Sequence, residues 1–327
     1  MKSTHWFLML LLLMGVAAFG LEKPGLVHHL GSWALPGSGG YVDYLVIGGP
    51  DHRLYAGYAS EDALIVVDIV TGRSIARVGG LKDVRSIALV EGSDLGFTSN
   101  RGDGTVGVVD LKTNRLLRKI RDGKGPDAII YDKAAGEVYV ANHEGRSGTF
   151  IDPASGKITG IVPLGGLAEY AQADPATGLV YQNLEDKSEI VVVDPKKKAV
   201  VARYRTAPGK EPTGIALDPA HHRLFAACGN NKLVVVDATN GSVKAVLPIG
   251  SGVDSVAHDP ALRRLYTANG AAGTMTVIRQ ESADKYAVIE NLRTREGAHA
   301  LAVDPATHRV YVVHGARIEV YDSLPDR

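Results

Sequence analysis

A chain of 327 residues that is 45% hydrophobic can bury a large core, and is as well suited to one big all-β domain as to two ordinary ones. Its 36 Lys and Arg balance 36 Asp and Glu, so the formal net charge is zero, which lends no support to a global nucleic-acid or anionic-membrane footprint. The 38 glycines and 15 prolines alternate with runs of Val, Ile and Leu, the mark of frequent turns and not of disorder.

The first twenty residues have the make-up of an export signal. Lys2 lies in a short polar start, FLMLLLLMGVAA is a compact apolar run, and Ala18-Phe19-Gly20 offers small residues where a signal peptidase reads, so cleavage is expected before Leu21. The apolar run is short for a membrane span, no cysteine beside the cut suggests a lipid anchor, and no transmembrane segment is expected once the signal is gone. Residues 21–327 are therefore expected to form one exported domain, periplasmic or extracellular. Cys228 is its single cysteine, so stability must come from packing and not from disulfides.

Next, LVHHLGSWALPG at residues 26–37 resembles a lone strand that ends in a Pro-Gly turn. From about residue 39 to 324 a repeat takes over. Tyr55, Phe97, Tyr139, Tyr181, Phe225, Tyr266 and Tyr311 recur at spacings of 42, 42, 42, 44, 41 and 45. Each is followed by a strand end: IVVD, GVVD, TFID, VVVD, VVVD, TVIR and EVYD. Six end in Asp (68, 110, 152, 194, 237 and 322), with Arg279 the exception, and an Asp there can accept hydrogen bonds from the amides of the next turn.

Each unit contains four short strands, typified by GIALD, RLFAA, KLVVVD and SVKAVLPIG, with no convincing helical period. Seven such units predict an all-β, seven-bladed β-propeller of four-stranded antiparallel blades. The seventh unit has only its first three strands, so the strand at 26–37 is expected to complete the last blade and close the ring.

The segments GEVYVANHEGRSGTFIDPASGKITGIVPLG and HRLFAACGNNKLVVVDATNGSVKAVLPIG resemble the YVTN-repeat (YncE-like) propellers, and Tyr139-Val140-Ala141-Asn142 nearly spells the motif. The resemblance implies an exported, soluble propeller. Members have been linked to DNA binding, and more distant ones to haem, lactonase or lyase activity. Fold does not settle function. C-x-x-C-H, phosphate-cradling Gly-rich motifs, H-E-x-x-H and a G-x-S-x-G nucleophile elbow are all missing from the sequence.

Departures from the repeat at one face of the ring are the candidates for function. At the start of the first strands stand Asp43, Arg85, Asp127, Glu169, Thr213, Asp254 and His299; at the end of the second, Tyr58, Asn100, Asn142, Leu184, Cys228, Asn269 and His314. Arg101, His143 and Glu185 follow just beyond. A ligand-binding channel mouth is expected from Asp43, Tyr58, Arg85, Arg101, Asp127, His143, Glu169, Asp254, His299 and His314. Crowded carboxylates there must raise one another's pKa or be neutralised. One reading makes this mouth a noncatalytic pocket for a small molecule, or a docking face for an envelope protein, on a monomer. Another lets Asp43, Asn100, Asn142 and Asp254 hold a divalent cation such as Ca²⁺, with His299 or His314 moving a proton in lactone opening or elimination.

Elsewhere the signals have structural explanations. His28-His29 and His221-His222 fit surface solvation, His258 a satisfied buried histidine, Cys228 a small buried side chain, and the glycines at 37–40 a strand connection. The basic run KTNRLLRKIRDGKG at 112–125 falls on an outer strand, where charge discourages edge-to-edge pairing. With no aromatic stacking platform beside it or beside Lys196-Lys197-Lys198, nucleic acid is not the expected partner.

Overall fold

The structure, a computed structural model, describes residues 25–325; the expected export signal at 1–20 lies outside them. Among the described residues the regular structure is β throughout, apart from 3-10 turns at Ala59–Glu61 and Glu185–Lys187. Six four-stranded antiparallel sheets span residues 45–79, 84–121, 126–163, 168–205, 212–248 and 253–293; the seventh joins residues 300–323 to the strand Val27–Ala34. First strands of successive blades touch all the way round, blade 7 against blade 1 included, so the ring is closed about an axis lined by first strands.

The burial pattern explains the letters. Third strands such as Lys232–Asp237 lie between two neighbouring blades and are buried on both faces, hence the unbroken valines. The outer strand Arg115–Arg121 of blade 2, which carries the basic run, is exposed except at the half-buried Leu116 and Ile120. All seven repeated aromatics sit on second strands and are at most 2% exposed. Asp68, Asp110, Asp152, Asp194 and Asp237 each accept amide hydrogen bonds from two or three residues on, as at Asp68 Oδ1, which takes Val70 N at 3.0 Å and Thr71 N at 2.8 Å. Asp322, on the last strand, instead approaches Arg309 at 4.0 Å.

Closure is made by the front of the chain. Val27–Ala34 runs antiparallel to Arg317–Ser323, pairing Val27 with Ser323 and Ala34 with Arg317, with one irregularity between His29 and Gly31. The Trp33 ring packs 5.4 Å from Tyr311 and also fills the space over Gly72 of blade 1, where an added Cβ would lie 2.4 Å from Trp33 Nε1. Arg264 of blade 6, fully buried, holds the far end by donating to Ser323 Oγ at 2.9 Å and Leu324 O at 2.6 Å.

Candidate functional site: an acidic cup on the axis

In five blades the pairing of first and second strands slips just where the first strand begins: between Val84 and Ile87, Pro126 and Ile129, Ala168 and Ala171, Pro212 and Ile215, and Val253 and Ser255. A bulge takes residues out of the ladder and re-aims their side chains. The residues freed here include Arg85, Asp127, Glu169, Thr213 and Asp254, and with Asp43 of blade 1 they line a cavity of about 210 Å³. Arg101 and Glu185, one residue past the second strands of blades 2 and 4, reach the same space. Neighbouring side chains satisfy the backbone that the bulges release: Asn183 Nδ2 donates to Thr213 O at 2.9 Å and Gly214 O at 3.0 Å, and Ser99 Oγ donates to Asp127 O. The polar ring is thus braced from behind.

Tyrosines form the floor and one wall. Tyr44 and Tyr170 stack with centroids 4.2 Å apart, interplanar angle 26°, and divide the cup from a second chamber of about 270 Å³ between the first strands. The cup is therefore blind. Tyr41 stands beside it, donating from Oη to Asp43 Oδ1 at 2.7 Å and stacking on His299 at 4.7 Å. None of the three belongs to the residue set expected from the sequence. A signal existed for two: the position after the polar ring is Ser86, Ala128, Gly214, Ser255 and Ala300 in five blades, and Tyr44 and Tyr170 in the others.

Charge is unevenly distributed. Arg85 bridges Asp43 at 3.0 Å and Asp83 at 2.9 Å; Arg101 bridges Asp127 at 3.1 Å and also meets Glu144. His143 Nδ1 lies 2.9 Å from Glu169 Oε1 and 3.1 Å from Ala168 O. Among the described residues no hydrogen-bond donor reaches the carboxyl of Asp254 or of Glu185. Burial, then Asp43 and Glu169, push Asp127 well above the usual carboxylate range, and the nearby guanidiniums of Arg101 and Arg85 only partly offset this. Burial raises Asp254 in the same way, helped by Asp43, Glu169 and Glu185, with Arg85 opposing. Glu185 is raised too, by burial and then Glu169, while the hydrogen bond to Glu169 raises His143.

Other expected residues lie elsewhere. Tyr58 is fully buried and packs against the segment at Gly37. His299 stands behind Tyr41, its ring nitrogens each 2.8 Å from a carbonyl, Gly297 O and Val42 O, and His314 is outside the cup lining, near Gly297. The amides of Asn100 and Asn142 donate to Thr105 Oγ1 at 3.0 Å and Thr149 Oγ1 at 2.9 Å, so of the four expected calcium ligands only Asp43 and Asp254 face the cup. A different trio, Asp127, His143 and Glu169, brings potential ligand atoms within 4.8 Å of one another. A cation there must displace Arg101 from Asp127 and the proton between His143 and Glu169. Cys228 is buried, its thiol pushed up to about 12 by burial, and His258 is only half-buried, its ring meeting Gln280 Oε1 at 3.1 Å.

These shifts predict an unusual pH profile. Asp127, Asp254 and Glu185 hold protons in the folded state that the unfolded chain loses above about pH 4, so stability falls as pH rises through their raised pKa values. His143, also raised, adds stability that is full below about pH 6.5 and lost as pH rises through its folded value; His258, lowered by burial, acts in the opposite sense. Below about pH 4 the turn carboxylates with lowered pKa, Asp68 and Asp110 among them, lose their contribution. Thermal melts at fixed ionic strength should therefore peak near about pH 4 to 5 and decline toward alkaline pH. A melting temperature that climbs steadily up to pH 8 contradicts this electrostatic picture.

Fold and site together define the class: a seven-bladed β-propeller with a blind, acidic, tyrosine-floored cup at one end of its axis. No family model matches the sequence, and no curated protein is significantly similar to it.

Proposed function

We propose that the protein is an exported binding propeller of the YVTN-repeat kind, whose axial cup holds a small polar ligand or the tip of an envelope partner. The observation that carries this reading is the convergence, on one blind cavity, of five carboxylates against two guanidiniums, with His143 outside the lining and paired to Glu169. Such a concentration of partly unpaired charge on a braced rim is costly to folding, which is the signature of a site maintained for a ligand. The Tyr139-Val140-Ala141-Asn142 motif and the signal-like first twenty residues support the family and the compartment. Mass spectrometry of gently purified protein should find a small molecule released on denaturation. Filling the cup with Thr213→Phe should abolish its capture, and capture that survives the substitution places the ligand elsewhere.

The trio Asp127, His143 and Glu169 favours a second reading, a metal-dependent lactonase or lyase with the imidazole and carboxylates holding a divalent ion. Metal content and turnover of a lactone panel with and without chelator separate the two. The binding reading expects substoichiometric metal and no chelator-sensitive turnover.

A further inference from the structure

Resting on the cup as a ligand site, we propose that its occupant is the ammonium group of a primary amine, seated on the side formed by blades 4 to 6. The two guanidiniums of the cup are already spent on Asp43, Asp83, Asp127 and Glu144, and Glu169 is engaged by His143. What remains are the carboxyls of Asp254 and Glu185, which no donor reaches among the described residues. The floor adds a third acceptor, because Tyr44 is only 7% exposed and its hydroxyl has no hydrogen-bond partner. Tyr44 itself lines the cup, and its hydroxyl feels the charge of Asp127, Asp43 and Glu169.

A primary ammonium carries three N–H donors and no acceptor, a match for unsatisfied oxygens in a space of about 210 Å³. Tyr41 and Tyr170 line the same space, and both lie in the field of Asp254. A divalent ion is less well served, since the trio that brings ligand atoms closest includes the carboxylate that Arg101 already occupies. A neutral ligand leaves the carboxylates unpaired, and an anion meets them directly.

The groups facing Asp254 set the pH dependence. Asp43, Glu169 and Glu185 raise its affinity for a proton, Arg85 lowers it, and Tyr41 and Tyr170 flank it as neutral phenols. A proton and an ammonium compete for the same carboxylate, so amine affinity must rise with pH until Asp254 is ionised. Asp254→Asn removes one of the two unpaired counter-ions and the pH dependence that Asp254 contributes.

Isothermal titration of the full chain with n-butylamine, 1,4-diaminobutane and 1-butanol tests this. Both amines should bind and the alcohol should not; affinity should rise between pH 5 and 8. Asp254→Asn should weaken amine binding at least tenfold and flatten the pH profile, while its melting temperature stays level or rises, which separates lost recognition from lost folding. Amines that fail to bind, or that bind the Asp254→Asn protein equally well, overturn the proposal. Binding of Mn²⁺ or Zn²⁺ that is lost in His143→Ala, with amines silent, also overturns it but leaves the cup as the ligand site. If neither amine nor metal binds and Thr213→Phe changes no captured molecule, the proposed function falls as well.

Discussion

Deletion of residues 21–38 should lower the melting temperature by about 10 °C or more, and drive the protein toward aggregation. The deleted segment includes the fourth strand of the seventh blade, paired residue by residue with Arg317–Ser323. Val27 and Leu35 are 3% and 6% exposed, and Trp33 packs on Tyr311 and over Gly72. Losing the two buried side chains, at roughly 1.5–3 kcal/mol each, together with the half-buried Trp33 forfeits on the order of 5 kcal/mol in total. That is comparable with the entire net stability of an ordinary domain, and for a chain of this size corresponds to a shift of about 10 °C or more. The strand Arg317–Ser323 would also become an open edge, a template for intermolecular pairing. Trp33→Ala is the milder companion, expected to lower melting while leaving the backbone ladder in place. Thermal melts followed by circular dichroism, with light scattering for the edge, give the comparison. Unchanged melting on deletion would show that blades 1 and 7 hold together without the strap.

Replacement of Arg85 by Met should cost about 3 kcal/mol, the largest loss expected from a single substitution in the cup. Arg85 keeps most of its side chain out of solvent and is the 3.0 Å partner of Asp43, itself 5% exposed. It also offsets part of the charge felt by Asp127 and Asp254. Methionine fills similar volume, so the loss reflects charge left unpaired and not a hole. A second substitution, Asp43→Asn, removes the orphaned charge, and the double variant should recover most of the stability. Denaturant unfolding of the two single variants and the double variant yields the coupling. Additive losses, with no recovery in the double variant, would mean that the two side chains do not depend on one another. The single variant should also show a steeper loss of stability toward alkaline pH, because the raised carboxyls of Asp127 and Asp254 lose a neutralising neighbour.

Much of the candidate site could be located from the repeat, because the repeat supplies its own internal comparison. The first-strand column that carries Asp43, Arg85, Asp127, Glu169, Thr213 and Asp254 does line the cup. The second-strand column does not: Tyr58, Asn100 and Asn142 are fully buried, and only the following residues in blades 2 and 4, Arg101 and Glu185, extend inward far enough to line it. His299 has the right place in the first column but turns behind Tyr41, held by two carbonyls. Tyr41 lies in the connection from the closing strand to blade 1, two residues ahead of the first-strand column, where the equivalent positions Asp83, Gly125, Leu167, Glu211, Gly252 and Gly297 share no single residue type for it to depart from.

Blade number, strand order and the use of the front strand as the closing latch were determined by the sequence alone. Each blade is a local unit of four strands, and its turn aspartates, buried aromatic and valine runs recur about every 42 residues, so the pattern announces itself within a short window. The contents of the cup were decided only in three dimensions. Whether a side chain points to the axis depends on a bulge in the ladder, on which neighbouring blade satisfies the released backbone, and on two tyrosines more than a hundred residues apart meeting face to face. Those are relations between residues distant along the chain, and local periodicity carries no information about them.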